Sequence, residues 1–333
     1  MSVEAVQLWA RLVCKLVTAI VIALMIYYCT ISGKIYLIML ESGRAEEIGL
    51  PDPYQAFIVP FGFALALHVF KRAVKQASRP LVAHICKDKD DKEKHEKRIE
   101  SAVNYVYKLI FYTVSAAWGY IIMKDSPVMP QELGGKGSMA GIFEGMPYQA
   151  KQPWFLEYSL FNLGYFLEDF INHVFFKDRH SDFWEMMMHH LVTISLYWGM
   201  IMQNFIRIGV IVSWVHQFSD ITTAISRLLS QTNQKVPLVI SFVICIAHWM
   251  WMRNYWLPIL SYEAYLRVQY PPDLKDYQAA PDIMKLFLFI LCILHVYWCC
   301  LFINILYGGL TKGQTDNLQS MNTTMKKETK KAQ

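Results

Sequence analysis

Charge is scarce in this sequence. Of 333 residues, 18% are Asp, Glu, Lys or Arg, where a soluble domain carries about a quarter. That shortage argues against a chain that keeps its whole surface in water. Paired cysteines are also missing. Cys14, Cys29, Cys86, Cys245, Cys292, Cys299 and Cys300 contain no CxxC, which leaves no disulfide framework or zinc ribbon and makes them small buried hydrophobes. There is no HExxH of a zinc hydrolase. His173, His180 and the pair His189–His190 fit neither the HxxxH nor the HxxHH spacing of a di-iron oxygenase. No metal and no cofactor is expected. No internal repeat occurs, and the modest net charge of +5 sits in loops between apolar runs, so no nucleic-acid surface is expected.

What is present is apolar length. Hydrophobic residues make up 54% of the chain, and a spanning helix needs about 20 of them in a row. The pattern predicts an all-α polytopic membrane protein with about eight transmembrane helices, near 14–40, 54–72, 102–123, 154–176, 184–203, 206–230, 236–260 and 283–307. The first has no cleavage site of a signal peptide and is kept as a helix. Basic residues follow the second span (Lys71 to Arg98), the fourth (Lys177, Arg179) and the last (Lys312 to Lys331), while the alternate loops are balanced or acidic. The bias places both termini in the cytosol. Lys87–Glu96 reads as a solvated mixed-charge linker, and the polar tail from Thr311 as disordered. Lys330 and Lys331 stand where a dilysine retrieval signal of the endoplasmic reticulum would. Trp249, Trp251, Tyr255 and Trp256 suit an interfacial aromatic belt.

Ionisable side chains inside a span cost about 2.5–3.5 kcal/mol to insert and point to function. The fifth span carries His189 and His190, the sixth His216, Ser219 and Asp220. The two spans join tightly at Asn204 and Phe205. In such a hairpin His189 is level with Asp220, His190 with Ser219 and Thr193 with His216, to within about 3 Å per residue of turn placement. A carboxylate beside an imidazole fixes its tautomer and stabilises its cation, so the histidine can serve as general base or as nucleophile. Adjacent residues point about 100° apart, so one histidine is expected to do the chemistry while the other hydrogen-bonds nearby. The pattern alone also admits a helix–helix hydrogen-bonding role or a transport role, though no paired Gly or Pro interruptions of a transporter are seen. Glu168 and Asp169, deep in the fourth span, could pair with Arg or His, contact a substrate amine, or stay protonated. His68, His84, His95, His248 and His295 are isolated and read as structural.

The stretch Ser181–Met186, then His189-His190-Leu191-Val192-Thr193, Asn204, Arg207, Gly209 and His216–Asp220, resembles the signature of ceramide synthases of the longevity-assurance group, within the TLC-domain membrane proteins. Weaker similarity begins at Arg98–Ala102 and runs to about 310. The resemblance implies a TLC-type helical barrel around a central acyl-chain cavity, residence in the endoplasmic reticulum, and N-acyl transfer from fatty acyl-CoA, as co-substrate, to a sphingoid base. It implies His189, His190 and Asp220 as the catalytic set. His216, Ser219, Thr193, Arg207, Asp182, Glu168 and Asp169 are candidates for substrate binding. Gln217 stands where the family commonly has a second aspartate. Membrane lipids are expected partners, and a homodimer or a small accessory subunit stays open. The other class to consider is a non-enzymatic TLC protein that senses lipids or assists translocation. The expected division is residues 1–53 (first helix and lumenal loop), 54–97 (second helix and linker), 98–310 (acyltransferase domain) and 311–333 (tail).

Overall fold

In a computed structural model, residues 3–176 and 183–312 are described, with side chains from residue 16. No strand occurs among the described residues. Eight long helices carry the fold: α1 (Val3–Glu41), α2 (Val59–Ile85), α3 (Lys92–Met123), α4 (Phe155–Phe175), α5 (Phe183–Met202), α6 (Ile206–Leu229), α7 (Lys235–Arg267) and α8 (Ala279–Lys312). Segments of α1, α3, α7 and α8 are long and apolar enough to cross a membrane by themselves. Large apolar side chains such as Leu16, Ile20 and Ile26 on α1 and Phe289 and Ile293 on α8 point outward. A water-soluble protein hides such stripes, whereas lipid solvates them. The chain is an all-α, multi-pass membrane protein.

Several boundaries move from their expected places. The second span begins at Val59, because Pro53–Phe57 forms its own short helix, closed by a reciprocal cap between Asp52 and Gln55. It then runs on to Ile85, with Lys75, Arg79 and His84 in its second half. The expected solvated linker shrinks: from Lys92 onward its charges are the first turns of α3. There Lys75 meets Glu100 at 2.9 Å, and Arg79 pairs with Glu96 and Glu100. Ion pairing between neighbouring helices lets a charged stretch stay helical. Thr311 and Lys312 end α8; the rest of the tail, with its lysine pair, lies outside the described residues.

The chain divides into two compact units. The first comprises residues up to Ala64, Ile122–Ile211 and Leu260–Leu294; the second comprises Leu65–Ile121, Val212–Ile259 and the chain from His295. In the first, α5 packs against α1 and α4. Gly199 makes the approach to α1 close: a Cβ there would meet the Tyr28 hydroxyl at 1.9 Å. Gln203 donates to Ser32 at 2.8 Å and accepts from Tyr270 at 2.5 Å. The α5–α6 turn depends on Asn204, which takes φ 54, a left-handed conformation asparagine tolerates. Its amide donates to Pro147 and Gln149 carbonyls.

In the second unit, Phe242, Ile246 and Trp249 of α7 pack on Cys299 and Phe302 of α8. Helix α7 widens into a π-type turn over Met250–Trp256. Pro258 gives the reason. It has no N–H for the carbonyl of Asn254, and its ring crowds that carbonyl, so the preceding turn opens.

Candidate active site

Two polar clusters are buried in the helices, one in each unit. In the first unit, α4 presents Glu168, Asp169 and His173 (3%, 6% and 8% exposed) and α5 presents His190 (2% exposed). The i, i+1, i+5 spacing on α4 and the first turns of α5 bring these groups together. His190 Nε2 lies 3.9 Å from Asp169 Oδ2. That is too long for a hydrogen bond but close enough for strong coupling in a dry interior. The His190 ring lies 5.3 Å from His173 and 5.8 Å from His189, centre to centre. His173 is fixed in place: its ring stacks on Phe183 at 4.8 Å, and its Nε2 lies 3.2 Å from the Phe183 carbonyl. A carbonyl only accepts, so Nε2 carries the proton. Glu168 is held by the Asn172 amide one turn on. His189 is only half-buried. The two adjacent histidines therefore differ: His190 is enclosed beside a carboxylate, and His189 is the more accessible ring.

In the second unit, α6 presents His216, Ser219 and Asp220, spaced i, i+3, i+4 on one face. All three meet Arg253 from the widened turn of α7. Arg253 lies 2.6 Å from Asp220 Oδ1, donates through Nε to Ser219 Oγ at 2.7 Å, and donates to the His216 carbonyl at 3.1 Å. Its guanidinium rests 4.0 Å above the Trp249 ring. His216 Nδ1 is 2.7 Å from the Val212 carbonyl, and its Nε2 is 2.8 Å from His295 Nε2. The first contact puts the His216 proton on Nδ1. For neutral rings, its Nε2 must then accept, so His295 donates through Nε2–H.

The other expected residues fall as follows. Thr193 is buried in α5, in the first unit. Arg207 begins α6, about 26 Å of helix rise from His190 if counted along the chain at 1.5 Å per residue, but the turn at Asn204 folds it back. It stands near the α5–α6 turn, its guanidinium bound to the Gly141 and Ala150 carbonyls at 3.1 and 3.3 Å. Its role in the structure is thus to hold the 141–150 loop, with Ile48, Lys151 and Phe155 lining a small cleft beside it. Asp182 lies outside the described residues. His189 and His190 belong to the first unit and Asp220 to the second.

Asp169, read as a group that could pair with Arg or His, is the carboxylate beside His190. Two participants escaped the sequence reading. Arg253 sits among tryptophans that read as an aromatic belt; of these Trp249 and Trp256 are buried and Trp251 and Tyr255 exposed. His295 read as isolated because its partner is 79 residues away. The signal for Arg253 was available: a lone arginine deep in an apolar run needs a partner. Among the described residues, no group of three or more His, Cys, Asp or Glu is arranged to hold a metal ion.

Comparison with known proteins bears on the same helices. The family model for the TLC domain matches residues 102–304, which includes both clusters. Ceramide synthase hyl-1 of Caenorhabditis elegans is 25% identical over 233 residues, 67% of this chain and 61% of that protein. ASC1-like protein 3 of Oryza sativa subsp. japonica is 25% identical over 230 residues, 66% of this chain and 78% of that protein. Sphingosine N-acyltransferase lac1 of Schizosaccharomyces pombe is 23% identical over 224 residues, 64% of this chain and 56% of that protein. The chain thus spans about three fifths of the nematode and yeast relatives. With the domain model covering well over half of its length, the chain belongs to the TLC-domain family.

Proposed function

We propose that the protein is a ceramide synthase, transferring a fatty acyl group from acyl-CoA to the amine of a sphingoid base such as sphinganine. The carrying observation is the buried imidazole–carboxylate contact of His190 and Asp169, beside a half-buried His189, inside membrane helices. Relatives named as ceramide synthases and as a sphingosine N-acyltransferase supply the reaction class. Both substrates carry long alkyl chains, which suits a site enclosed by apolar helices. The basic segments after α2 and α4 favour a cytosolic approach for the anionic CoA, with the protein in the endoplasmic reticulum membrane.

The chemistry sets what the residues must do. A sphingoid base arrives as an ammonium and must lose one proton to water at the membrane surface before its nitrogen can attack. The attack forms a C–N bond, and the thioester C–S bond breaks. In direct transfer His189 takes a second N–H proton from the nitrogen and returns it to the thiolate. In the covalent route its ring nitrogen displaces the thiolate, which leaves with the proton the ring gives up, and the amine's proton returns to the ring when the acyl group moves to nitrogen. His190, coupled to Asp169, steadies the charge that develops on the neighbouring ring. The resemblance to ceramide synthases adds Asp220 to the proposed catalytic set. Exclusion of water protects the thioester from hydrolysis. No cofactor enters this scheme.

The test is an assay in membranes from cells lacking their own ceramide synthases. Expression of the chain is expected to produce N-acylated sphinganine from acyl-CoA, with the His189→Ala variant expressed but inactive. Equal, background-level product from both would overturn the reading. Acyl-CoA given alone, followed by intact-mass measurement, separates the covalent route from direct transfer.

A further inference from the structure

Arg253 is 4% exposed within an apolar helix, where a guanidinium is costly unless something requires it. Its contacts with Asp220, Ser219 and the His216 carbonyl lie on one face of α6. The pair is lopsided: the Arg253 side chain is 4% exposed and that of Asp220 21%. Here the arginine is sealed behind Trp249, while the carboxylate keeps an open edge. The widened turn before Pro258 aims the guanidinium across to α6, and such turns recur at functional sites.

We infer that Arg253 is a positioning residue for Asp220: it fixes one carboxylate oxygen and leaves the other as an acceptor for a nitrogen-bound proton. The inference rests on the acyltransferase reading, in which Asp220 takes part in the reaction. A lysine would not replace it, since one ammonium cannot hold a carboxylate, a hydroxyl and a carbonyl in a fixed fork. Other titratable or charged groups of the unit stand on the same helices, His216 and Arg227 on α6 and Cys245 and His248 on α7. Cys245 and His248 meet the neighbouring Thr223 and Thr222 at 3.4 and 3.3 Å. Among the described residues, Arg253 is the group at ion-pair distance from Asp220, 2.6 Å.

The experiment uses the full chain in nanodiscs, with kcat and KM measured per folded molecule. Without Arg253 the Asp220 carboxylate loses its fixed orientation, so Arg253→Gln is expected to lower kcat at least tenfold with the KM for acyl-CoA little changed. Arg253→Lys should recover part of the loss, and Arg253→Gln with Asp220→Asn should be no slower than Asp220→Asn alone, because the arginine acts through the carboxylate. Should Arg253→Gln fail to fold, the double variant should recover folding, because it removes the unpaired charge. An unchanged kcat in folded Arg253→Gln, losses that simply multiply in the double variant, or no recovery of folding in the double variant overturns the inference. If the wild-type chain transfers no acyl group, the reading beneath it fails instead, and the folding comparison still reports on the pair.

Discussion

The two buried clusters use the same residue types for different electrostatic tasks. In the first unit a carboxylate, Asp169, faces an imidazole at 3.9 Å. In the second a carboxylate, Asp220, faces a guanidinium at 2.6 Å. An imidazole can give up its proton near neutral pH, and a guanidinium cannot. A carboxylate coupled to histidine can therefore share in proton traffic, whereas one clamped by arginine is a fixed charge. The lesson is that the presence of His and Asp in a membrane helix says less than the identity of the group each one faces.

The largest expected effect tests the first cluster directly. His189→Ala should lower acyl transfer by about a hundred- to ten-thousandfold, the usual contribution of a positioned acid–base group, with normal expression and an unchanged melting temperature. His190→Ala, which empties an enclosed position, should cost stability as well as activity. If His190→Ala were the milder change in rate, the division of labour between the rings would be reversed.

The carboxylates give the next contrast. Asp220→Asn should lower kcat about ten- to a hundredfold, the worth of one hydrogen bond to a charged group at about 1.5–3 kcal/mol, and Asp169→Asn, which weakens a charge coupling across 3.9 Å, by less. Their stabilities should differ. Asp220→Asn leaves Arg253 buried without its counter-charge and should lower the melting temperature. Asp169→Asn faces the His190 imidazole, which can be neutral, and should lower it less. Equal thermal shifts would remove the distinction drawn between the two units.

A scaffold change should be smaller still in activity and visible in stability. Gly199→Ala places a methyl group where the Tyr28 hydroxyl stands, an overpacking that costs about 1–3 kcal/mol. Thermal unfolding should register it, while turnover per folded molecule stays near wild type. Adding Tyr28→Leu should recover part of the loss.

These residues also mark how far the sequence can be read. Helix positions were legible because apolar length is a property of contiguous residues; all eight expected spans overlap long helices, even where α2 and α3 extend beyond them. The His189–His190 pair was legible because ionisable groups stand out against an apolar background. The partner of each group was less so. Register arithmetic along one hairpin considers only α5 and α6, but Asp169 reaches His190 from α4, and Arg253 reaches Asp220 from α7. His295, on α8, meets His216 only after the chain has folded. The widened turn that delivers Arg253 depends on Pro258, a residue whose effect is felt one turn upstream.

The smallest effect isolates solvent as the deciding variable. Asp88, in the α2–α3 connection, and Arg98, on α3, repeat the Asp220–Arg253 chemistry near water: their side chains are 34% and 16% exposed, against 21% and 4%. Asp88 adopts φ 63, which asparagine also tolerates, so Asp88→Asn changes charge with little change in backbone. The Arg98 guanidinium beside Asp88 holds its carboxyl below the usual carboxylate range. A lowered folded value means that the pair stabilises above the unfolded value, and that this contribution is lost as pH falls through the folded one. Asp88→Asn should thus cost under about 1 kcal/mol at neutral pH, nothing in strong acid, and less as salt is added. Asp220→Asn should be largely insensitive to salt, because ions do not follow the pair into the membrane interior. If both variants responded alike to salt, burial would not be what separates a fixed internal charge from an ordinary surface pair.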